Sequence, residues 1–266
     1  MDELTATAVA QVCTSQWIGR SYYYYPELGS TNDELKRLAA ASSLAAGTVV
    51  LADFQRQGRG RLNRGWFAPP GSSLLHSILF WPDWPPERAN WLTMMVGVAA
   101  VAAIEAVTGL AVGLKWPNDV MVQQAGVWHK VGGILLEGQV GGDGRLQQAI
   151  VGFGLNVNVP AAQMPETVTP ATSLMVAGGR PFSRLLLLAA FWQQLEGVYE
   201  TAESPHLAWQ QRLITLGQPV QVSRVGQPTV VGVAEGTDVW GQLLVRDESG
   251  VVHTVAAGDV TLRPER

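Results

Sequence analysis

Residues Gln55-Arg56-Gln57-Gly58-Arg59-Gly60-Arg61-Leu62-Asn63-Arg64-Gly65-Trp66 constrain this chain more than any other stretch. Four arginines fall within nine residues of a 266-residue protein whose formal net charge is −4. Gly58, Gly60 and Gly65 let the backbone take positive φ and come close to a ligand. Guanidinium groups grip carboxylates and phosphates bidentately, and clustered backbone N–H groups form an anion nest. The run therefore reads as a loop that folds over an anion. A solvated arginine–glycine loop on RNA is the alternative. A β-like run on each side and the closing Trp66 favour an ordered site.

The rest of the chain supplies a scaffold for such a loop. Hydrophobic residues make up 47% and charged residues 15%, enough apolar material for a core. The acidic balance argues against general binding of nucleic-acid duplexes, and no DNA partner is expected. The single cysteine, Cys13, forms no internal disulfide, and the four histidines lack metal-ligand spacing. A cytoplasmic protein is expected, since Met1 to Arg20 lacks the pattern of a signal peptide. The longest apolar small-residue run, Met94–Val107, reads as too short to cross a membrane and carries Glu105.

A helical pattern opens at Ser30-Thr31-Asn32-Asp33-Glu34, with Leu35, Leu38 and Ala39 on one face, in a region closed by Gly47; periodicity places further helices at Leu92–Val107, Phe182–Tyr199 and His206–Leu216. Strands are read at Thr48–Phe54, Ser73–Phe80 and Val112–Trp116, with a hairpin from Lys130–Val140 to Gln148–Asn158. Residues 1–29, with the run Tyr22–Tyr25, read as a helix or loop leading into a first strand. After Gly217 the texture changes to about five short β-like runs in about fifty residues, a small barrel. The expected domains are therefore 1–216 and 217–266.

Four further clusters carry chemistry. Ser30-Thr31-Asn32 stands at a helix start, where its hydroxyls serve either a polar ligand or the helix cap. Lys115-Trp116-Pro117-Asn118-Asp119 ends a strand; a carboxylate beside an amide suits magnesium held against phosphates, or an ordinary Asn-Asp turn. Lys130-Val131-Gly132-Gly133-Ile134-Leu135-Leu136-Glu137 sets paired glycines after a lysine, leaving either a hollow for a ligand or a bulge. Gly152-Phe153-Gly154-Leu155-Asn156 alternates glycines along a strand, which exposes backbone or permits tight packing.

In this order and spacing the five clusters resemble the biotin–protein ligase family, over roughly residues 28–160. The resemblance implies an α+β fold: a class II aminoacyl-tRNA synthetase-like mixed β-sheet with flanking helices, followed by a small SH3-like β-barrel. It implies ATP-dependent formation of biotinyl-5′-AMP and transfer of biotin to a lysine of a biotin carboxyl carrier protein, such as the biotinyl domain of acetyl-CoA carboxylase. Ser30, Thr31, Asn32 and Gln55 would meet the ureido end of biotin. Arg59, Gly60 and Arg61 would hold its carboxylate and then the adenylate phosphate. Lys130 would lie where biotin and ATP meet, and Lys130, Arg61 and Arg59 would be the catalytic groups. Gly132, Gly133 and Leu135 would line the biotin channel. Arg64, Trp66, Asn118, Asp119 and Asn156 would serve ATP, with Asp119 near Mg2+.

Relatives usually carry glycine at the position of Asn63, and asparagine is the residue that best replaces glycine at positive φ. Leu62 replaces what is often a polar or basic residue. The chain resembles the enzyme-only type without an N-terminal DNA-binding domain, as a monomer or homodimer. A lipoate or octanoate ligase on the same scaffold is the nearest rival; it would need an apolar acyl channel in place of Ser30, Thr31 and Gln55.

Overall fold

Seven strands build the main sheet of the computed structural model, which describes residues 4–262 apart from 168, 202, 225 and 257. In chain order they are β1 (Tyr22–Tyr25), β2 (Val49–Ala52), β3 (Ser73–Phe80), β4 (Val112–Lys115), β5 (Asp119–Gln124), β6 (Val127–Val140) and β7 (Leu146–Asn156). Their order in space is β1-β2-β3-β7-β6-β5-β4, with β1 and β2 parallel and every other pair antiparallel. The helices are α1 (Ala6–Val12), α2 (Thr31–Ala41), α3 (Ala89–Thr108), α4 (Leu174–Gly178), α5 (Arg184–Glu200) and α6 (His206–Gln210).

Strand alternation divides the sheet into two chemically different faces. Val49 and Leu51 of β2, Leu74, Ile78 and Phe80 of β3, and Ala149, Val151, Phe153 and Leu155 of β7 face α3 and α5 in the main core. Their neighbours Val50, Ala52, Leu79 and Ile150 face the other way, against Leu35 of α2. Beyond that patch the second face carries Ser77, Gly152, Gly154, Asn156, Gly133 and Lys130, few of which can fill a core. The apolar pattern thus builds a wall on one side and leaves a hollow on the other.

The helix over the wall is longer than its sequence signal. α3 runs for 20 residues from Ala89 to Thr108, ended by Gly109 in the left-handed region at φ 73°. With the turn before it, it is long and apolar enough to cross a membrane, which corrects the shorter span read from the sequence. In this fold it is the central core helix: Leu92, Met95, Ala99 and Ile104 are among its buried residues, and it packs on α5 and the sheet.

One core position breaks the apolar pattern. His76 is fully buried on the α5 side of β3, edge-on to Phe153, Phe191 and Trp192, and neither ring nitrogen has a hydrogen-bond partner. Burial pushes its pKa down to about 3. The unfolded chain takes up a proton near pH 6.5, whereas the folded one stays neutral to about pH 3, so stability falls as pH drops through that window. The loss at pH 5 relative to pH 7 is about 2 kcal/mol. His76→Leu is expected to raise the melting temperature at pH 5 and flatten its slope between pH 7 and pH 5. An unchanged slope in the variant contradicts this assignment.

The chain after α6 forms a second, wholly antiparallel sheet. Its strands are β8 (Pro219–Arg224), β9 (Gln227–Thr237), β10 (Leu243–Arg246), β11 (Val252–Val255) and β12 (Asp259–Leu262), in the order β11-β10-β9-β8-β12. Val220, Val222, Ala234, Leu243 and Val245 join the same continuous core as α3. The turn after β9 clips onto the main body: Asn90 Nδ2 donates to Trp240 O at 3.1 Å, Trp91 Nε1 to Val239 O at 3.0 Å and Trp116 Nε1 to Gly241 O at 2.8 Å. The last bond fixes the residue just before Pro117-Asn118-Asp119.

Candidate active site

The hollow on the second face of the sheet is a cavity of about 690 Å3. Its floor explains the glycines. A Cβ on Gly154 would lie 2.7 Å from the Trp66 ring and one on Gly133 would lie 3.1 Å from it. A Cβ on Gly152 would lie 2.4 Å from Asn32 Oδ1. Two of these glycines therefore make room for the Trp66 indole and the third for the Asn32 amide. Lys130 Nζ lies 5.7 Å from the centre of the Trp66 ring, so the lysine and the indole share one wall.

At one end lies the start of α2. Thr31 N–H and Thr31 Oγ1 both donate to Gln55 Oε1, at 2.7 and 3.1 Å. Gln55 thereby satisfies an orphan donor of the helix, and the Ser30 hydroxyl makes no capping bond although Ser30 is the N-cap residue. Buried Ser30 is left facing the cavity with its hydroxyl uncommitted to the helix. Ser77 Oγ, 2.7 Å from Thr31 Oγ1 and 2.5 Å from Asn32 Oδ1, fixes both residues from beneath.

Cationic groups cluster in the middle. Arg61 Nη1 donates to Asn118 Oδ1 at 3.0 Å, and Asn118 Nδ2 donates to Ile134 O at 2.7 Å. Lys130 Nζ pairs with Asp119 Oδ1 at 2.6 Å. Arg64 and Gly60 also line this part, and Leu135 the wall beside it. Arg59 reaches the cavity but its guanidinium is paired with Asp33 and Glu137 at the rim. At the far end, buried Asn156 keeps its Oδ1 without a partner, as Trp66 keeps its Nε1. Two orphaned polar atoms on one cavity wall are what a ligand rich in donors and acceptors would satisfy.

Of the residues to which the resemblance gives a ligand contact, Gly132 is the one that stays off the cavity. An unpaired residue, Val131, sits where β5 pairs Val120 with Gly132 but Met121 with Lys130. This bulge shifts the alternation by one. Lys130 and Gly133 share the cavity face, while the Cα–H of Gly132 points at Phe153 and Val120 on the core side. Several lining residues gave no sequence signal: Pro165, Glu166, Thr167, Thr169 and Ala171 from one loop, and Ser223 and Val260 from the C-terminal sheet. Lys115, buried on β4, donates from Nζ to Thr169 Oγ1 at 3.0 Å and ties that loop to the wall.

The sequence profile of the biotin/lipoate A/B protein ligase family matches residues 25–156, and that of the biotin protein ligase C-terminal domain matches residues 215–263. A biotin–[acetyl-CoA-carboxylase] ligase of Mycobacterium tuberculosis is 35% identical over 243 residues, which cover 88% of this chain and 86% of that protein. The chain belongs to the biotin/lipoate A/B protein ligase family. Another of its relatives, the bifunctional ligase/repressor BirA of Bacillus spizizenii, is 31% identical over 90% of this chain and 74% of its own length. The biotin protein ligase from Aquifex aeolicus solved in complex with biotin and ATP superposes with a TM-score of 0.74 at 28% identity, covering 92% of this chain and 100% of that one.

Within this biotin/lipoate ligase framework the arginine loop has a feature of its own. The left-handed residue in its 3-10 turn, Arg61–Asn63, is Leu62 at φ 55°, not Asn63. The expected glycine-like role of Asn63 therefore falls one residue earlier, on an exposed leucine, at a cost of about 1–2 kcal/mol. The Asn63 side chain lies outside the described ones.

Proposed function

We propose that the chain is a biotin–protein ligase: it forms biotinyl-5′-AMP from biotin and ATP and transfers the biotinyl group to a lysine of a biotin carboxyl carrier protein. The observation that carries this reading is the layout of the cavity. A hydrogen-bonding end of Ser30, Thr31 and Gln55 suits a ureido ring, a cationic middle suits a carboxylate meeting a phosphate, and the end with Asn156 suits a nucleotide.

In the first step a biotin carboxylate oxygen attacks the α-phosphorus of ATP, a P–O bond forms and pyrophosphate leaves. Negative charge gathers at that centre, and Lys130 and Arg61 neutralise it from fixed positions. In the second step the carrier lysine nitrogen attacks the acyl carbon, AMP departs with the bonding pair and the amine loses a proton. No enzyme nucleophile is needed, and Cys13 has no part in it. Among the described residues no three His, Cys, Asp or Glu side chains converge on a metal position, and Asp119 is already paired with Lys130. Magnesium therefore fits as part of Mg·ATP, carried largely by the phosphates with Asp119 beside them.

Acid-dependent exchange of pyrophosphate into ATP tests the reading. Exchange should depend on biotin and stay at background with lipoate or octanoate; exchange driven by either of those acids, and not by biotin, would move the chain to that branch of the family. Arg61→Gly should still form adenylate but release it at least about tenfold faster, having lost a charge-assisted contact. Dialysis of the adenylate complex reads this directly, and normal retention would count against Arg61.

A further inference from the structure

Glu137 ends the Lys130–Glu137 motif, lies outside the cavity wall, and has no part in either step above. Its carboxylate nevertheless has three side-chain partners, Lys36, Asn32 and Arg59. Oε1 pairs with Lys36 Nζ at 2.7 Å, Oε2 accepts from Asn32 Nδ2 at 2.7 Å, and Arg59 Nη1 and Nη2 approach the two oxygens at 3.3 and 3.2 Å. Arg59 Nη2 also meets Asp33 Oδ1 at 2.5 Å.

These partners differ in burial. Asn32 is buried, seated over Gly152 and fixed by Ser77, whereas Lys36 and Arg59 are about two-fifths exposed. Glu137 on β6 thus has a buried, hydrogen-bonded partner on one side and the arginine loop on the other. Arg59 in turn is braced within the loop, where its residue bridges to Gly65, Gly60 N–H donates to Arg64 O and Trp66 N–H to Gly58 O. Burial works to raise the pKa of Glu137, but hydrogen bonds from Lys36 and Asn32 and the charges of Lys36 and Arg59 outweigh it and leave it lowered. The carboxylate is therefore charged at neutral pH.

We propose that Glu137 is a positioning residue for the ligase reaction: with Asp33 it latches Arg59 to the sheet and to α2, and so holds the arginine loop over the cavity with Arg61 turned to Asn118. Arg59 and Arg61 then do different work. Arg61 faces the reacting groups, and Arg59 is the loop's anchor.

The effect on ligands rests on the function proposed above, while the latch itself is testable without them. Glu137→Gln keeps one oxygen acceptor, for Asn32, and puts an amide N–H2 in place of the oxygen that faces Lys36, so the charge and one acceptor are lost. In ligand-free protein, hydrogen exchange of the 58–66 amides should quicken about three- to tenfold, the range for partly exposed charge-assisted bonds, with the amides of β6 and β7 unchanged. With biotin and ATP, adenylate release should quicken by the same factor, while kcat at saturating carrier stays within about twofold. In loop exchange and adenylate release Arg59→Met should have at least the effect of Glu137→Gln, since it also frees Asp33, and the double variant should be no worse than Arg59→Met alone, because the Glu137 contact acts through Arg59. Unchanged loop exchange in ligand-free Glu137→Gln overturns the latch whatever the turnover. So do additive effects in the double variant, which would mean that Arg59 grips the ligand independently. Faster loop exchange without any biotin-dependent change would keep the latch and count instead against the proposed function.

Discussion

Lys130→Met is expected to slow adenylate formation about a thousand-fold, near the upper end of what one preorganised donor contributes to a developing oxyanion. Lys130 is held between the Asp119 carboxylate at 2.6 Å and the face of Trp66, on the strand that also carries Gly133. Methionine keeps much of the aliphatic stem and packing, so the loss falls on charge. Two negatively charged substrates would then meet without the Lys130 ammonium, with Arg61 and Arg64 still lining that part, and the freed Asp119 carboxylate would add repulsion. The rate of the first turnover of biotin and ATP, followed by quenched flow, measures this. A loss below about tenfold would remove Lys130 from the reacting centre, since one charge-assisted hydrogen bond accounts for that much.

Gly154→Ala is the second large effect, and it acts without touching any charge. The added Cβ would lie 2.7 Å from Trp66 Cε2 and 2.9 Å from Cζ2, inside any permitted contact. The indole must leave the sheet and enter the cavity. Overpacking of this kind costs about 1–3 kcal/mol, and here it is drawn from the ligand's own space. Biotin affinity should fall about 10- to 100-fold. Gly142→Ala, in the turn between β6 and β7 with open space around its missing Cβ, should leave affinity unchanged. Calorimetric titration of both variants with biotin compares them, and equal affinities would mean that Trp66 is not a wall of the binding site.

These two sites show which parts of the molecule were legible in the sequence. Motif order brought Ser30, Gln55, Arg61, Lys130 and Asn156 into one list, and the fold puts them in one cavity: strand alternation sends Lys130 and Asn156 to that face, while the start of α2 and the loop after β2 bring Ser30, Gln55 and Arg61 to it. The glycines were legible as places of close approach, with a ligand hollow and a bulge or tight packing both open. That they hold Trp66 and Asn32 was not, because those contacts join residues far apart in the chain. The strand β5 escaped notice because the turn after it is made by Ala125 and Gly126, both at positive φ. Such a turn usually advertises itself as Asn-Gly or Asp-Gly, and alanine hides it. Without β5 the bulge at Val131 could not be seen either, and the resemblance set Gly132 beside Gly133 on the channel wall, whereas the strand turns it to the core side. The N-terminal turn of α3 was hidden by Pro85, Pro86 and three nearby tryptophans. Its length emerged only from the buried contacts that stabilise it.

The contribution of the C-terminal sheet lay beyond sequence reasoning for the same reason. Ser223 and Val260 border the cavity, and Gly241 receives the indole N–H of Trp116, two residues before Asn118. No local pattern links positions 116 and 241. The packing makes the small domain part of the wall around the cavity, so that a loosened 238–242 turn would be felt at Asn118 and, through it, at Arg61.

The central claim is tested most directly by intact-mass spectrometry of a biotinyl carrier domain after incubation with this protein, biotin, ATP and magnesium. The account predicts a carrier heavier by one biotinyl group on a single lysine, dependent on ATP, and free biotinyl-5′-AMP when the carrier is left out. An unmodified carrier with no adenylate, from protein that is folded and in the presence of all four components, would contradict it.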